Sequence, residues 1–293
     1  MKSVKSPRMM AAAFVVALCG IATLAMQTVP ELILFRERLV LSVLHLESDA
    51  KLEPFDMKTH DGLTLRSWYK QPEAGKPVIV YFPGRVGDLV KKPSHLFKLA
   101  EDGYGLLLAG YRGYGGNPGR PSETHLYGDA AGLLAKLAVE NMAPDGTILY
   151  GYSMGTGIAS YAASQVKPRA VILEAPFTSF RDAVRQQAGR APVWLVRTQF
   201  DTRSRIGEID VPILLMAGGQ DQVTPATFAE KLASLNETFA SLHIFKEAGH
   251  GDMFAHGALE AVTGFLEQFR LPELLPDLGG GTAQAAPLEP VTP

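Results

Sequence analysis

Residues 146–157, GTILYGYSMGTG, decide how the rest of the chain is read. An apolar run, Thr147 to Tyr150, enters Gly151-Tyr152-Ser153-Met154-Gly155. Ile158, Ala159, Tyr161, Ala162 and Ala163 then continue as a buried helix. The pentapeptide fits G-x-S-x-G, in which a serine sits on a strained turn between a strand and a helix. A serine whose Oγ must stand clear of a sheet takes up a sparsely populated backbone conformation, at a cost of about 1–3 kcal/mol. Its neighbours two residues to either side must be small, so that strand and helix can pass closely. In a chain with 29 glycines the same five residues also arise by accident. The competing reading is a glycine-rich structural turn, and the strand before and helix after favour the elbow.

Working outward, strands and helices alternate. His60-Asp61-Gly62 between two alternating runs predicts an antiparallel hairpin. Continuous apolar runs at 76–82 (KPVIVYF), 105–110 (GLLLAG), 169–173 (RAVIL) and 211–216 (VPILLM) read as strands buried on both faces, with 241–245 as the last strand. Helical patterns lie at 96–101, 123–140, 180–187, 226–235 and 258–269. This order predicts an α/β fold: a mostly parallel, doubly wound sheet preceded by an antiparallel hairpin. In such sheets ligands bind beyond the carboxyl ends of the strands. The loops starting at Pro83, Tyr111, Ser153, Glu174, Asp221 and His250 are expected to gather there.

Composition narrows the function. A net charge of −2 gives no basic face for nucleic acid. The single cysteine, Cys19, excludes an intramolecular disulfide, and no Cys/His cluster has zinc spacing. Residues 111–116 (YRGYGG) lack the lysine of a phosphate loop. At the N-terminus Lys2, Lys5 and Arg8 precede an uncharged run from Met9 to Met26. Eighteen helical residues span about 27 Å, close to the roughly 30 Å hydrocarbon core. Residues 1–30 therefore read as an uncleaved membrane anchor, with a cleaved signal peptide as the alternative. The basic flank puts the remainder of the chain on the non-cytoplasmic side, or in the periplasm or medium after cleavage. Residues 31–50 read as a linker, 51–272 as the folded domain, and 273–293, rich in Gly, Ala and Pro, as a disordered tail.

The chemistry follows from the serine. At neutral pH it needs a general base, usually a histidine oriented by a carboxylate. Of seven histidines, His250 alone follows the last strand between two glycines. Asp221, after the strand 211–216 and two glycines, is the acid expected from the order Ser…Asp…His, with Glu174 as the rival. The oxyanion needs two N–H donors. Met154, following the serine, supplies one, and Arg85, in the loop after the strand 76–82, is the expected second. The segment 177–210 reads as a short lid. Its Phe177, Trp194 and Leu195 either line an acyl site or pack into the core.

From about Gly62 to Phe269 the chain resembles the α/β-hydrolases, on the stretches GYRGYGGNPGRPSE, ILYGYSMGTGIA, FDTRSRI before VPILLMAGGQDQVTP, and KEAGHGDM. It is most similar to small-lid, N-terminally anchored serine hydrolases related to acyl-protein thioesterases and prolyl oligopeptidase-like peptidases. The resemblance implies Ser153 as nucleophile, Asp221 as acid, His250 as base, and Met154 with Arg85 as oxyanion donors, with no metal or cofactor. It implies hydrolysis of a carboxylic ester or thioester, on a small molecule or an acylated protein. An amidase or peptidase using the same residues is the alternative, and from another class, a non-catalytic anchored interaction protein. Two positions depart from the family: Pro83-Gly84 replaces His-Gly, and Gly110 stands where Asp or Ser is usual before Tyr-Arg-Gly. Arg112 reads as a structural tie between loops.

Overall fold

The computed structural model describes residues 7–35, 52–85, 94–189 and 192–268. Most of the linker expected at 31–50 and the tail expected at 273–293 lie outside the described residues.

Eight strands form one sheet in the order β1-β2-β4-β3-β5-β6-β7-β8. They are β1 (Glu53–Lys58), β2 (Thr64–Lys70), β3 (Val78–Phe82), β4 (Gly105–Leu108), β5 (Thr147–Tyr152), β6 (Ala170–Glu174), β7 (Ile213–Gly218) and β8 (Ala240–Phe245). β2 pairs antiparallel with β1 and β4, and every other pairing is parallel. The hairpin forms where Asp61-Gly62 placed it. Gly62 takes φ 87, and Thr59 and Leu63 close the turn backbone to backbone. β3 to β6 are fully or almost fully buried because helices cover both faces. Alternate residues of β3 divide between the faces. Val78, Val80 and Phe82 join one apolar cluster with α3 (Glu123–Val139) and α4 (Met154–Gln165). Ile79 and Tyr81 join the other, with α2 (Ser94–Glu101) and α8 (Ala258–Glu267).

The chain steps from β3 out to β4, then returns to the opposite side of β3 for β5. The crevice between the carboxyl ends of β3 and β5 is therefore the switch point where such sheets bind ligands. Phe82 is level with Gly151 in the register, which sets the loop beginning at Pro83 beside the Ser153 turn.

The lid stretch contains α5 (Phe180–Ala188), a 3₁₀ turn at Val193–Leu195 and α6 (Arg203–Ile206). It is tied down in its middle. The Glu123 carboxylate, at the start of α3, accepts from Gln199 N–H at 2.6 Å and Phe200 N–H at 2.8 Å. Phe200 is buried, with φ 40, and lies against Gly157 of α4, where a Cβ would come within 2.7 Å of its own Cβ. α7 (Ala226–Ser234) packs beside β7 and β8.

Arg112 is 1 % exposed and ties three parts of the chain together. It grips Asp129 of α3 through Nε and Nη2, both at 2.6 Å, and Asp61 of the hairpin turn at 2.9 and 3.1 Å. These bonds, those to Asp129 foremost, raise the guanidinium pKa further. Gly110 leaves room for β2: a Cβ there would lie 1.8 Å from the Arg66 carbonyl. Asn117 pairs with Arg66 N–H and C=O at 2.8 and 3.0 Å, and Ser67 Oγ accepts from Gly110 N–H at 3.0 Å.

α1 (Pro7–Leu34) is a 28-residue helix, and its described side chains, 14–29, include exposed Phe14, Val15, Val16, Leu18, Ile21 and Leu24. Among the described residues no helix is long and apolar enough to cross a membrane. The transmembrane span expected within 1–30 therefore has no support in the described helices.

Candidate active site

Ser153 stands at the turn between β5 and α4 with φ 48 and ψ −115. Its N–H is held by the Glu174 carbonyl at 2.9 Å, and Thr156 N–H and Oγ1 bond back to the Ser153 carbonyl. The flanking glycines are required by contact. A Cβ on Gly151 would lie 2.4 Å from the Gly155 carbonyl oxygen, and one on Gly155 would lie 1.9 Å from that of Phe82. The elbow thus forms only if the helix start can press against both its own strand and the end of β3.

Asp221 and His250 arrive from neighbouring strands. The loop after β7 lies on the loop after β8, where Gly219 N–H bonds Phe245 C=O and Gln220 N–H bonds Ala248 C=O, both at 2.8 Å. Any side chain at 218 or 219 would strike this backbone, because a Cβ would meet Gly249 O at 2.3 Å or Lys246 O at 2.5 Å. The pair of glycines ahead of Asp221 is what allows the two loops to join.

The three side chains form a relay. His250 Nε2 is 3.0 Å from Ser153 Oγ, and His250 Nδ1 is 2.8 Å from Asp221 Oδ2. An ionised carboxylate only accepts, so Nδ1 carries the proton and Nε2 is left to accept from the serine hydroxyl. Asp221 is buried, and its other oxygen accepts from Val223 and Thr224 N–H at 2.7 and 2.9 Å. Burial by itself would push its pKa up. The hydrogen bonds from His250 and Thr224 outweigh that and hold it below the usual carboxylate value. Glu174, the rival acid, is also buried, and its carboxylate accepts from Tyr150 hydroxyl at 2.7 Å.

Met154 is the first residue of α4, so its N–H has no partner within the helix and belongs to a positive helix end. Arg85 is the last described residue of the loop after β3. The Tyr111 hydroxyl donates to the Pro83 carbonyl at 2.9 Å, which holds the start of this loop. Phe177 lies in the core with 3 % exposure, while Trp194 is 71 % exposed. Among the described residues no group of three or more His, Cys, Asp or Glu side chains could hold a metal ion.

Two contributors escaped the sequence reading. Thr224 Oγ1 sits 2.9 Å from Asp221 Oδ2 and 3.1 Å from the Ala175 carbonyl, bracing the acid. Asp221 accepting from the N–H groups two and three residues on is an Asx turn, a motif that does not point to the threonine hydroxyl. Tyr152 Oη donates to the His250 carbonyl at 3.1 Å, and nothing in its sequence context marks that contact.

Comparison with known proteins agrees with this architecture. The family profile described as alpha/beta hydrolase fold matches residues 77–198. An uncharacterized protein of Mycobacterium tuberculosis is 32% identical over 219 residues, covering 72% of this chain and 78% of its own length. A lysophosphatidylserine lipase of Danio rerio is 27% identical over 243 residues, covering 72% of this chain but 60% of its own. Among solved structures, a Pyrococcus furiosus esterase superposes with a TM-score of 0.65 at 16% identity, over 79% of this chain and 96% of its own. With the doubly wound sheet, its antiparallel hairpin and the strained serine turn all in place, the chain belongs to the α/β-hydrolase family.

Proposed function

We propose that the protein is a serine hydrolase that cleaves carboxylic ester or thioester bonds through an acyl-enzyme. The observation that carries the reading is the relay Asp221–His250–Ser153, with contacts of 2.8 and 3.0 Å, at the carboxyl edge of the sheet. Ser153 Oγ attacks the acyl carbon while His250 Nε2 takes its proton. Asp221 keeps the imidazole in the tautomer that can accept, and stabilises the imidazolium that forms. The tetrahedral oxyanion is held by the N–H groups of Met154 and Arg85. His250 then protonates the leaving group, and the same base delivers water to release the acid. An acyl substrate is supported by relatives named as a lipase and an esterase. The exposed apolar residues of α1, after a basic N-terminal flank, support attachment of the chain to a membrane through this segment.

Covalent labelling with a fluorophosphonate probe tests the chemistry directly. Wild type is expected to label and Ser153→Ala to give no signal. Equal labelling of the two, or none of wild type, would overturn the reading. A panel of p-nitrophenyl esters, acyl thioesters and aminoacyl amides then ranks the bond cleaved, and a preference for amides would displace the ester assignment.

A further inference from the structure

His250 rides on a tip with a glycine on either side, Gly249 and Gly251, a backbone with more freedom than any other sequence allows. A base on such a tip must be held from outside, or its imidazole samples many positions besides the one 3.0 Å from Ser153 Oγ. Part of the restraint is local: Asp252 Oδ1 accepts from Gly249 N–H at 2.6 Å. The imidazole is held by Asp221 Oδ2 at 2.8 Å, with Thr224 Oγ1 3.2 Å from the same nitrogen, and the histidine's main chain is held from across the sheet. Tyr152, the residue immediately before the serine, places its ring 5.5 Å from the imidazole and donates its hydroxyl to the His250 carbonyl at 3.1 Å. Gly251 leaves that bond undisturbed, since a Cβ there would come within 3.2 Å of the same Tyr152 oxygen. That is closer than a side-chain carbon normally sits to a hydroxyl, so an added methyl displaces the tyrosine oxygen by a few tenths of an ångström.

We infer that Tyr152 is a positioning residue for His250, holding the general base through its backbone carbonyl, and that Gly251 is glycine in order to admit the tyrosine hydroxyl. The serine and the tether for its base thus sit on adjacent residues of one strand end, so the turn that presents the nucleophile also sets the base's distance from it. The inference rests on Ser153 and His250 acting as nucleophile and base. A group that acts only by geometry is expected to alter the chemical step and leave substrate affinity alone.

The test is a double-mutant cycle on the full chain, read by steady-state hydrolysis of a p-nitrophenyl ester and by the rate of fluorophosphonate labelling, with melting temperatures as the folding control. Tyr152→Phe keeps the ring and removes the bond. It is expected to lower kcat and the labelling rate about tenfold with KM within about twofold. Gly251→Ala is expected to lower kcat in the wild-type background and to add no further loss to Tyr152→Phe, because the oxygen it would displace is already gone. Unchanged kcat in Tyr152→Phe, or a rise in KM alone, overturns the proposal, as do losses that multiply in the double variant. If wild type labels at Ser153 and Tyr152→Phe labels equally fast, this inference alone falls. If wild type neither turns over nor labels, the hydrolase reading falls and takes the inference with it.

Discussion

At the scale of single residues, the candidate acid offers the sharpest discrimination. Asp221 and Glu174 are both buried at carboxyl ends of strands, yet Asp221 accepts from the imidazole while Glu174 accepts from the Tyr150 hydroxyl. Asp221→Asn presents an amide N–H where the imidazole needs an acceptor, and favours the tautomer in which Nε2 carries the proton. A loss of about 10⁴ in kcat is expected on an ester substrate. Glu174→Gln can still accept from the tyrosine and is expected to cost less than about tenfold. Steady-state rates of the two variants check this, and the reverse ranking would reassign the acid. The meeting of Ser153, Asp221 and His250 was legible in the sequence because each follows a strand's carboxyl end among glycines, in an order few other arrangements produce. Thr224 and Tyr152 were not. They are ordinary residue types whose partners are a carboxylate or a main-chain carbonyl, in the case of Tyr152 98 positions away.

Among the elements, the junction of β5 with α4 is the most constrained. Gly155→Ala would bring a methyl within 1.9 Å of the Phe82 carbonyl oxygen, and backbone cannot swing aside as a side chain can. A stability loss of at least about 1–3 kcal/mol is expected by chemical denaturation. Fluorophosphonate labelling should also fall, because the helix start and the end of β3 would move apart with Met154 and Pro83 attached. The buried strands were readable from their unbroken apolar runs, and their ends were displaced for identifiable reasons. β7 begins at Ile213, since Pro212 has no N–H to give a ladder. β4 stops at Leu108, and Gly110 beyond it bonds a serine side chain instead of continuing. α6 escaped notice because its four residues, Arg203 to Ile206, are too few to display a helical period.

Across the whole molecule, Arg112 joins the first hairpin to α3 from a position with almost no solvent contact. Arg112→Met would leave Asp129 buried without its partner, and about 3–5 kcal/mol of stability should be lost. Arg66→Met removes a surface pair with Asp56 and should cost at most about 1 kcal/mol. Urea unfolding of the two variants provides the comparison, and equal losses would remove Arg112 from its central place. Its role as a tie was foreseeable from its position between loops, but its two carboxylate partners lie 17 and 51 residues away and only the folded chain identifies them. The bonds between the β7 and β8 loops belong to a longer seam. Ser153 N–H is held by the Glu174 carbonyl, Ala175 N–H by that of Met216, and Gly219 N–H by that of Phe245. Main-chain bonds thus run unbroken from the serine turn to the histidine loop, so the spacing of the relay is set by the sheet itself, as teeth are spaced by the bar that carries them.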